Sequence, residues 1–282
     1  MTRLRKIILW VLIPIILLLT ALIAPLYKTD FDIPTIAMTV SLVFTILVGF
    51  FIATATTNYL NFNSYLADES AYLITIHNLG KLIQPSAEKK LGHAIDQYII
   101  ASLDFPLISY IKNTDKEFDE IIKIIDDLNP QDKKIKRTAA LNYIQEIKNN
   151  LFQTRQSILL TAPRTTSKIH WVVLIMLTLL LGYLLLALRT GEIFSQIVIG
   201  IVLGALYLIL TLLNEVDNDH FLEESVALED VQNIFRVIGK LKYYPPHAFE
   251  KGYIKEPLEN YRTAVYKNYP YSTEKKMVVV KK

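Results

Sequence analysis

Four blocks of this chain, residues 7–27, 34–57, 169–188 and 193–213, are nearly free of charge. Each reaches or approaches the roughly 20 residues that an apolar helix needs to cross a bilayer. This clustering reconciles a composition that is 52% hydrophobic with a charged fraction of 20%. The basic start, Arg3, Arg5 and Lys6 ahead of an apolar run, has the look of a secretory signal. The run is longer than a typical signal core, however, and no small-x-small cleavage site follows it, so the first block is read as a retained helix.

The positions of Lys and Arg orient these blocks. Three precede the first block and one lies in the connection 28–33. Fourteen fall in 58–168, one in the turn 189–192 and eleven after residue 213. By the positive-inside rule both termini and the middle segment are cytoplasmic. The expected fold is all-α: four transmembrane helices as two hairpins, with a helical cytosolic domain inserted between them. The segments are a first hairpin over 1–57, the insertion over 58–168, a second hairpin over 169–213, and an acidic segment with cytosolic helices and tail over 214–282. The location that follows is a cell membrane, crossed several times, with the lipid bilayer itself as the first partner.

The second block, PTIAMTVSLVFTILVGFFIATATT, is not a plain lipid anchor. Its 24 residues rise about 36 Å as a helix. Ser41, Thr45, Gly49 and Ala53 recur every four residues and make one flank small and mildly polar. Leu42, Ile46 and Phe50 make a bulky apolar row on the adjacent flank. A small flank admits a close helix or water. The bulky row is read either as a packing face or as a constriction that gates by dewetting. Pro34 suits the first turn of this helix. No Pro or Gly follows Thr57 until Gly80, and Tyr59, Phe62, Leu66, Leu73 and Ile76 keep a helical apolar stripe. The helix is therefore expected to run on as one long rod. In the first block, Pro14 predicts a mild kink.

The insertion reads as helical, punctuated by Pro85, Pro106 and Pro130. Thr114-x-x-Glu117 has the form of a capping box. The following helix should bury Phe118, Ile121, Ile122, Ile125 and Leu128. Asn129-Pro130 predicts the start of the next helix, with Ala140, Ile144, Ile147, Leu151 and Ile158 facing the core. Trp171 begins the third apolar block at interface depth. Gly200-x-x-x-Gly204 in the fourth predicts a close-packing face. Residues 273–282 are expected to be a loose tail.

Several function classes fall away. With no cysteine there is no disulfide framework, thiolate nucleophile or zinc–thiolate site. A net charge of +3 gives no footing for nucleic acid. The apolar blocks contain no Asp, Glu or Lys, and the chain has no metalloprotease helix, phosphate loop or nucleophile elbow. An enzyme is not expected, and no cofactor is required. Among the five histidines, His93 with Asp96 reads as a weak surface pair. The sharpest charged feature is NEVDNDHFLEE at 214–224, which lacks a basic neighbour in sequence and follows a helix whose C-terminal end is already partly negative. Its Glu215, Asp217 and Asp219 are a candidate site for a hard cation such as Ca²⁺. The alternative is a solvated collar paired with lysines.

Leu47-Val48-Gly49-Phe50-Phe51, then Thr54, then Asn58-Tyr59-Leu60-Asn61-Phe62, resemble the pore helix of bestrophin-type membrane proteins. The acidic run after the fourth block is placed as the calcium clasp of that family is. The layout is similar to that of the prokaryotic bestrophin-like proteins and covers most of the chain. This resemblance implies a homo-oligomer, a pentamer, conducting small anions through a pore lined by the second helix, with Leu42, Ile46 and Phe50 at the neck positions. Two departures stand out: the aromatic row is reduced to one Phe, and the proline within the family's second helix is missing. The other reading is a non-conducting membrane scaffold or sensor whose cytosolic helical domain binds a partner.

Overall fold

The computed structural model describes residues 3–25, 31–105, 110–129, 135–161, 168–217, 226–250, 252, 254–267 and 275–282. The fold is all-α, with one small β-hairpin near the C-terminus among the described residues. The chain divides into two compact units, residues 1–57 with 164–219, and residues 58–163 with 220–282.

Apolar helices build the first unit. They are α1 (Arg3–Ile23), the start of α2 (Ile33–Ile83), α7 (Lys168–Ala187) and α8 (Ile193–Asp217). Three helices are long and apolar enough to cross a membrane, namely Ile33–Ile83, Ile169–Ala187 and Ile193–Glu215, and Trp10–Ile23 is a shorter apolar stretch. Their apolar surfaces meet around Ala21, Phe44, Val48, Phe51, Leu174, Leu181, Leu203 and Leu206. The glycine pair of α8 finds its partner in α1. A Cβ at Gly200 would lie 2.9 Å from the Cα of Leu18, and one at Gly204 would lie 3.2 Å from the Cβ of Pro14. Glycine is what lets these two backbones approach. Pro14 lies inside α1, so the expected proline sits at this contact. Past the end of α1, the buried Arg189 donates from Nη1 and Nη2 to the carbonyls of Ala21 and Ala24. A cation there satisfies carbonyls that the helix leaves open and meets the negative end of its dipole.

Helix α2 is one continuous helix of 51 residues, about 76 Å long at 1.5 Å per residue. Pro34 lies in its first turn, and Asp32 Oδ1 accepts the Thr35 N–H at 3.4 Å. It ends at Ile83, before Pro85. The run past Thr57 that the apolar stripe predicts is therefore present. Phe62, Leu73 and Ile76 are buried, with Tyr59 and Leu66 packed against the same core.

The second unit packs that part of α2 with α3 (Glu88–Asp104), α4 (Tyr110–Asn113), α5 (Asp115–Asp126), α6 (Ile135–Thr161), α9 (Val226–Val237) and α10 (Pro246–Glu250). Both helical stripes expected in the insertion are core. Phe118, Ile121, Ile125 and Leu128 are buried with Ile122 half-buried, and Ala140, Ile144, Ile147, Leu151 and Ile158 are all buried. Thr114 is the N-cap residue of α5, yet it makes no side-chain cap bond to that helix. Its hydroxyl instead accepts from Arg155 Nη1 at 3.3 Å, so the capping box does not close. Asn129 donates its N–H to Gln84 Oε1 at 3.2 Å. Pro130, and with it the expected helix start, lies outside the described residues.

The C-terminal end departs from expectation. Gly239, with φ +69°, stops α9, and Lys240 N–H returns to Phe235 O at 2.8 Å. Two strands follow, β1 (Tyr261–Tyr266) and β2 (Lys275–Val280), antiparallel from Tyr261↔Val280 to Tyr266↔Lys275. Residues 275–280 are thus an ordered strand rather than a loose tail. Charge ties the hairpin to α3: Arg262 makes two bonds to the Asp96 carboxylate at 2.9 and 2.6 Å, and Lys275 donates to Asp104 Oδ2 at 2.9 Å. Asp96 is buried. It is consumed by Arg262, so the surface pair expected with His93 does not form.

Candidate functional site

The outward side of α2 in the first unit carries the residues singled out from the sequence. Phe44, Val48, Phe51 and Ala55 recur at helical spacing and are buried, which fixes the inward side of the helix. Leu42, Ile46 and Phe50 lie off that side and are 62%, 61% and 63% exposed. Thr45, Gly49 and Ala53 are exposed beside them or half-buried, as Ser41 is. One helix thus presents the bulky row and the small row on a surface that is uncovered among the described residues. At Gly49 a Cβ would find nothing within 4 Å, in contrast to Gly200 and Gly204, whose hydrogens are needed against α1. Packing within the chain does not account for a glycine at 49.

The hydroxyls of this helix divide into two sets. Thr39, Thr54 and Thr57 each donate to the carbonyl four residues earlier at 2.9 Å. Ser41 and Thr45 make no side-chain hydrogen bond among the described residues. Their hydroxyls are thus unbonded among the described residues. The part of α2 in the first unit carries no Lys or Arg, so hydroxyl dipoles and aromatic edges are the groups it offers an ion. Phe50 stacks edge-on against Phe51, with centroids 5.8 Å apart, and Phe51 lies 5.1 Å from the His170 ring on α7. The inward aromatic therefore holds the position of the outward one.

Of the acidic run, Glu215 stands in the last turn of α8 and is half-buried. Asp217 ends that helix, while its side chain and Asp219 lie outside the described residues. Among the described residues, no three His, Asp or Glu side chains are grouped to hold a metal.

Two polar clusters in the second unit escaped the sequence reading. In the first, Arg155 of α6 donates from Nη1 to the Tyr98 hydroxyl at 2.7 Å and from Nη2 to Ile111 O at 3.0 Å and Asp115 Oδ1 at 2.8 Å. Its guanidinium lies 4.1 Å from the centroid of the Phe118 ring. Tyr98 in turn donates to Glu69 Oε1 of α2. Burial, and then the Glu69 charge, push the Tyr98 hydroxyl well above the ordinary tyrosine range. In the second cluster, Asp104 accepts from the Tyr243 hydroxyl at 2.6 Å, beside Lys275. The Gln232 amide brackets the Tyr243 backbone. A signal for the first cluster does exist in the sequence. Arg155 falls on the buried stripe between Leu151 and Ile158, and Glu69 falls between Leu66 and Leu73 at the same spacing. A charge on a core stripe calls for a buried partner.

A family model described as a Bestrophin-like domain matches residues 11–220. The chain matches no curated protein and no solved structure.

Proposed function

Because this chain belongs to the bestrophin-like family, on a match covering residues 11–220, we propose that it assembles as a homo-oligomer, a pentamer by family resemblance, and conducts small anions across a cell membrane. In this reading the four apolar helices span as two hairpins, and both termini and residues 58–168 are cytoplasmic. The pore is lined by α2, with Leu42, Ile46 and Phe50 at the constriction and Ser41, Thr45, Gly49 and Ala53 along the flank.

The observation that carries the reading is the uncovered side of α2. Three bulky apolar residues stand more than half exposed beside a glycine that no contact among the described residues requires. A helix facing only lipid also exposes bulky residues, as α7 does at Met176 and Leu179 and α8 at Ile201, but gains no close helix contact from a small flank. One facing its own copies around an axis does, since the flank admits close neighbours and the open hydroxyls of Ser41 and Thr45 meet the ion. Rings of Leu, Ile and Phe force an ion to shed water without full replacement, which is how a hydrophobic gate holds flux down.

Shortening Leu42, Ile46 and Phe50 together to Ala tests it by chloride flux from proteoliposomes. A widened constriction gives a flux several-fold above wild type with the oligomer intact. If the row is instead a packing face, losing three large buried side chains costs about 2–5 kcal/mol each, and the variant loses its oligomer with no gain in flux.

A further inference from the structure

Helix α2 keeps an exposed side past Thr57. Phe62, Glu69, Leu73 and Ile76 are buried, while Leu60, Asn61, Ser64, Ala67, Ala71 and Asn78 are exposed. The exposed set continues the helical phase of Leu42, Ile46 and Phe50. Ser64 follows Ile46 by 18 residues, five full turns at 3.6 residues per turn. Asp68 follows it by 22, about 40° past six turns, and is half-buried. A helix side that meets water ordinarily carries charges of both signs, and that of α5 does, with Asp115, Lys116, Asp119, Glu120 and Lys123. The exposed side of α2 is neutral apart from Asp68.

From Ile33 to Gly80 the helix has no Lys or Arg. Lys81, the first basic residue of α2, is bonded to Glu88 at 2.5 Å. Asp68 makes no ion pair or hydrogen bond among the described residues. The next carboxylate in the chain is treated differently. Glu69, about 100° further round the helix, is buried and accepts from the Tyr98 hydroxyl, which itself accepts from Arg155 at 2.7 Å. One acid of the pair is answered within the core, and the other is left without a counter-charge.

We propose that Asp68 sets the charge selectivity of the conduction path. This rests on the channel reading, in which copies of α2 surround an axis. Each copy then adds one carboxylate, about 33 Å along the helix from Ile46, and together they form a ring of negative charge. Such a ring gathers cations and depletes anions. The rings of Leu42, Ile46 and Phe50 carry no charge and discriminate by dehydration, so the sign of the favoured ion is set at Asp68. Chloride passes against this field, and potassium competes with it.

Reversal potentials of the full chain in a planar bilayer under a KCl gradient test this. The chloride-to-potassium permeability ratio should rise severalfold in Asp68→Asn and further in Asp68→Lys. The change should be larger at low ionic strength, where the field is less screened. Asp68 is half-buried and unpaired among the described residues, so the isosteric Asn keeps the fold. Glu69→Gln, in the core, should lower the melting temperature and leave the ratio unchanged. The chain has no cysteine, so Asp68→Cys carries a single thiol. A cationic methanethiosulfonate should raise the ratio of that variant, and an anionic one should lower it. A ratio equal in wild type, Asp68→Asn and Asp68→Lys, one that neither reagent moves, or one that Glu69→Gln moves as far, overturns the proposal and leaves the channel reading standing. A wild type that passes neither ion overturns both.

Discussion

At the scale of single residues, two glycines separate what packs within the chain from what faces out of it. Gly200 meets the α1 backbone, where a new Cβ would stand 2.9 Å from the Cα of Leu18. A backbone atom cannot swing aside as a side-chain end can. Gly200→Ala should therefore part α1 from α8 at a cost of about 1–3 kcal/mol, read as a lower melting temperature in detergent. Gly49→Ala adds a methyl that meets nothing among the described residues of its own chain, so it should leave the contact of α1 with α8 intact and act only where copies of the chain meet, read as a weaker oligomer in detergent. Equal melting of the Gly200 variant and wild type would contradict the close approach. The Gly-x-x-x-Gly spacing announced a tight contact, since small residues four apart make a groove whatever the partner. It carried no information about which helix fills that groove. Arg155 is the complementary case: its place on an apolar stripe marks it as buried, but its partners Tyr98, Ile111 and Asp115 lie 40 or more residues away, beyond any local pattern.

At the scale of elements, the helices were legible and the hairpin was not. Long stripes such as those of α2 and α6 report burial directly, because an apolar period of 3.6 residues sustained over many turns marks one helix face set against a core. The strand at Lys275–Val280 reads KKMVVV, which has no alternation, and strand preference depends on what the strand lies against. What holds it is Lys275 on Asp104 and pairing with Tyr261–Tyr266. The buried tyrosines give these contacts a signature in pH. Burial, followed by the charges of Glu69 and Asp104 respectively, raises both Tyr98 and Tyr243 above the ordinary value. Below about pH 10 both tyrosines are neutral folded and unfolded, and their contribution is whole. Above it the unfolded chain releases protons that the folded chain retains, so stability falls as pH rises. A melting temperature dropping steeply above about pH 10, and less steeply in the Tyr98→Phe/Tyr243→Phe double variant, is the expected result. Equal slopes would show that neither hydroxyl is held neutral.

At the scale of the whole molecule, orientation and assembly decide the function. The proposed orientation follows from fourteen Lys and Arg in residues 58–168 and eleven after residue 213, a bias that favours the cytoplasmic side for both segments. Cysteines introduced at Asn113 and Lys281, both exposed, should resist an impermeant thiol reagent in intact cells and react after lysis. Labelling of either from outside reverses the orientation. The central claim is that α2 faces an axis shared by copies of the chain. Single-particle imaging of the detergent-solubilised protein measures this most directly. The account predicts a ring of equivalent subunits, five by family resemblance, with α2 of each nearest the axis and Leu42, Ile46 and Phe50 turned inward. A monomeric particle, or a ring in which that row faces the surrounding detergent, contradicts it.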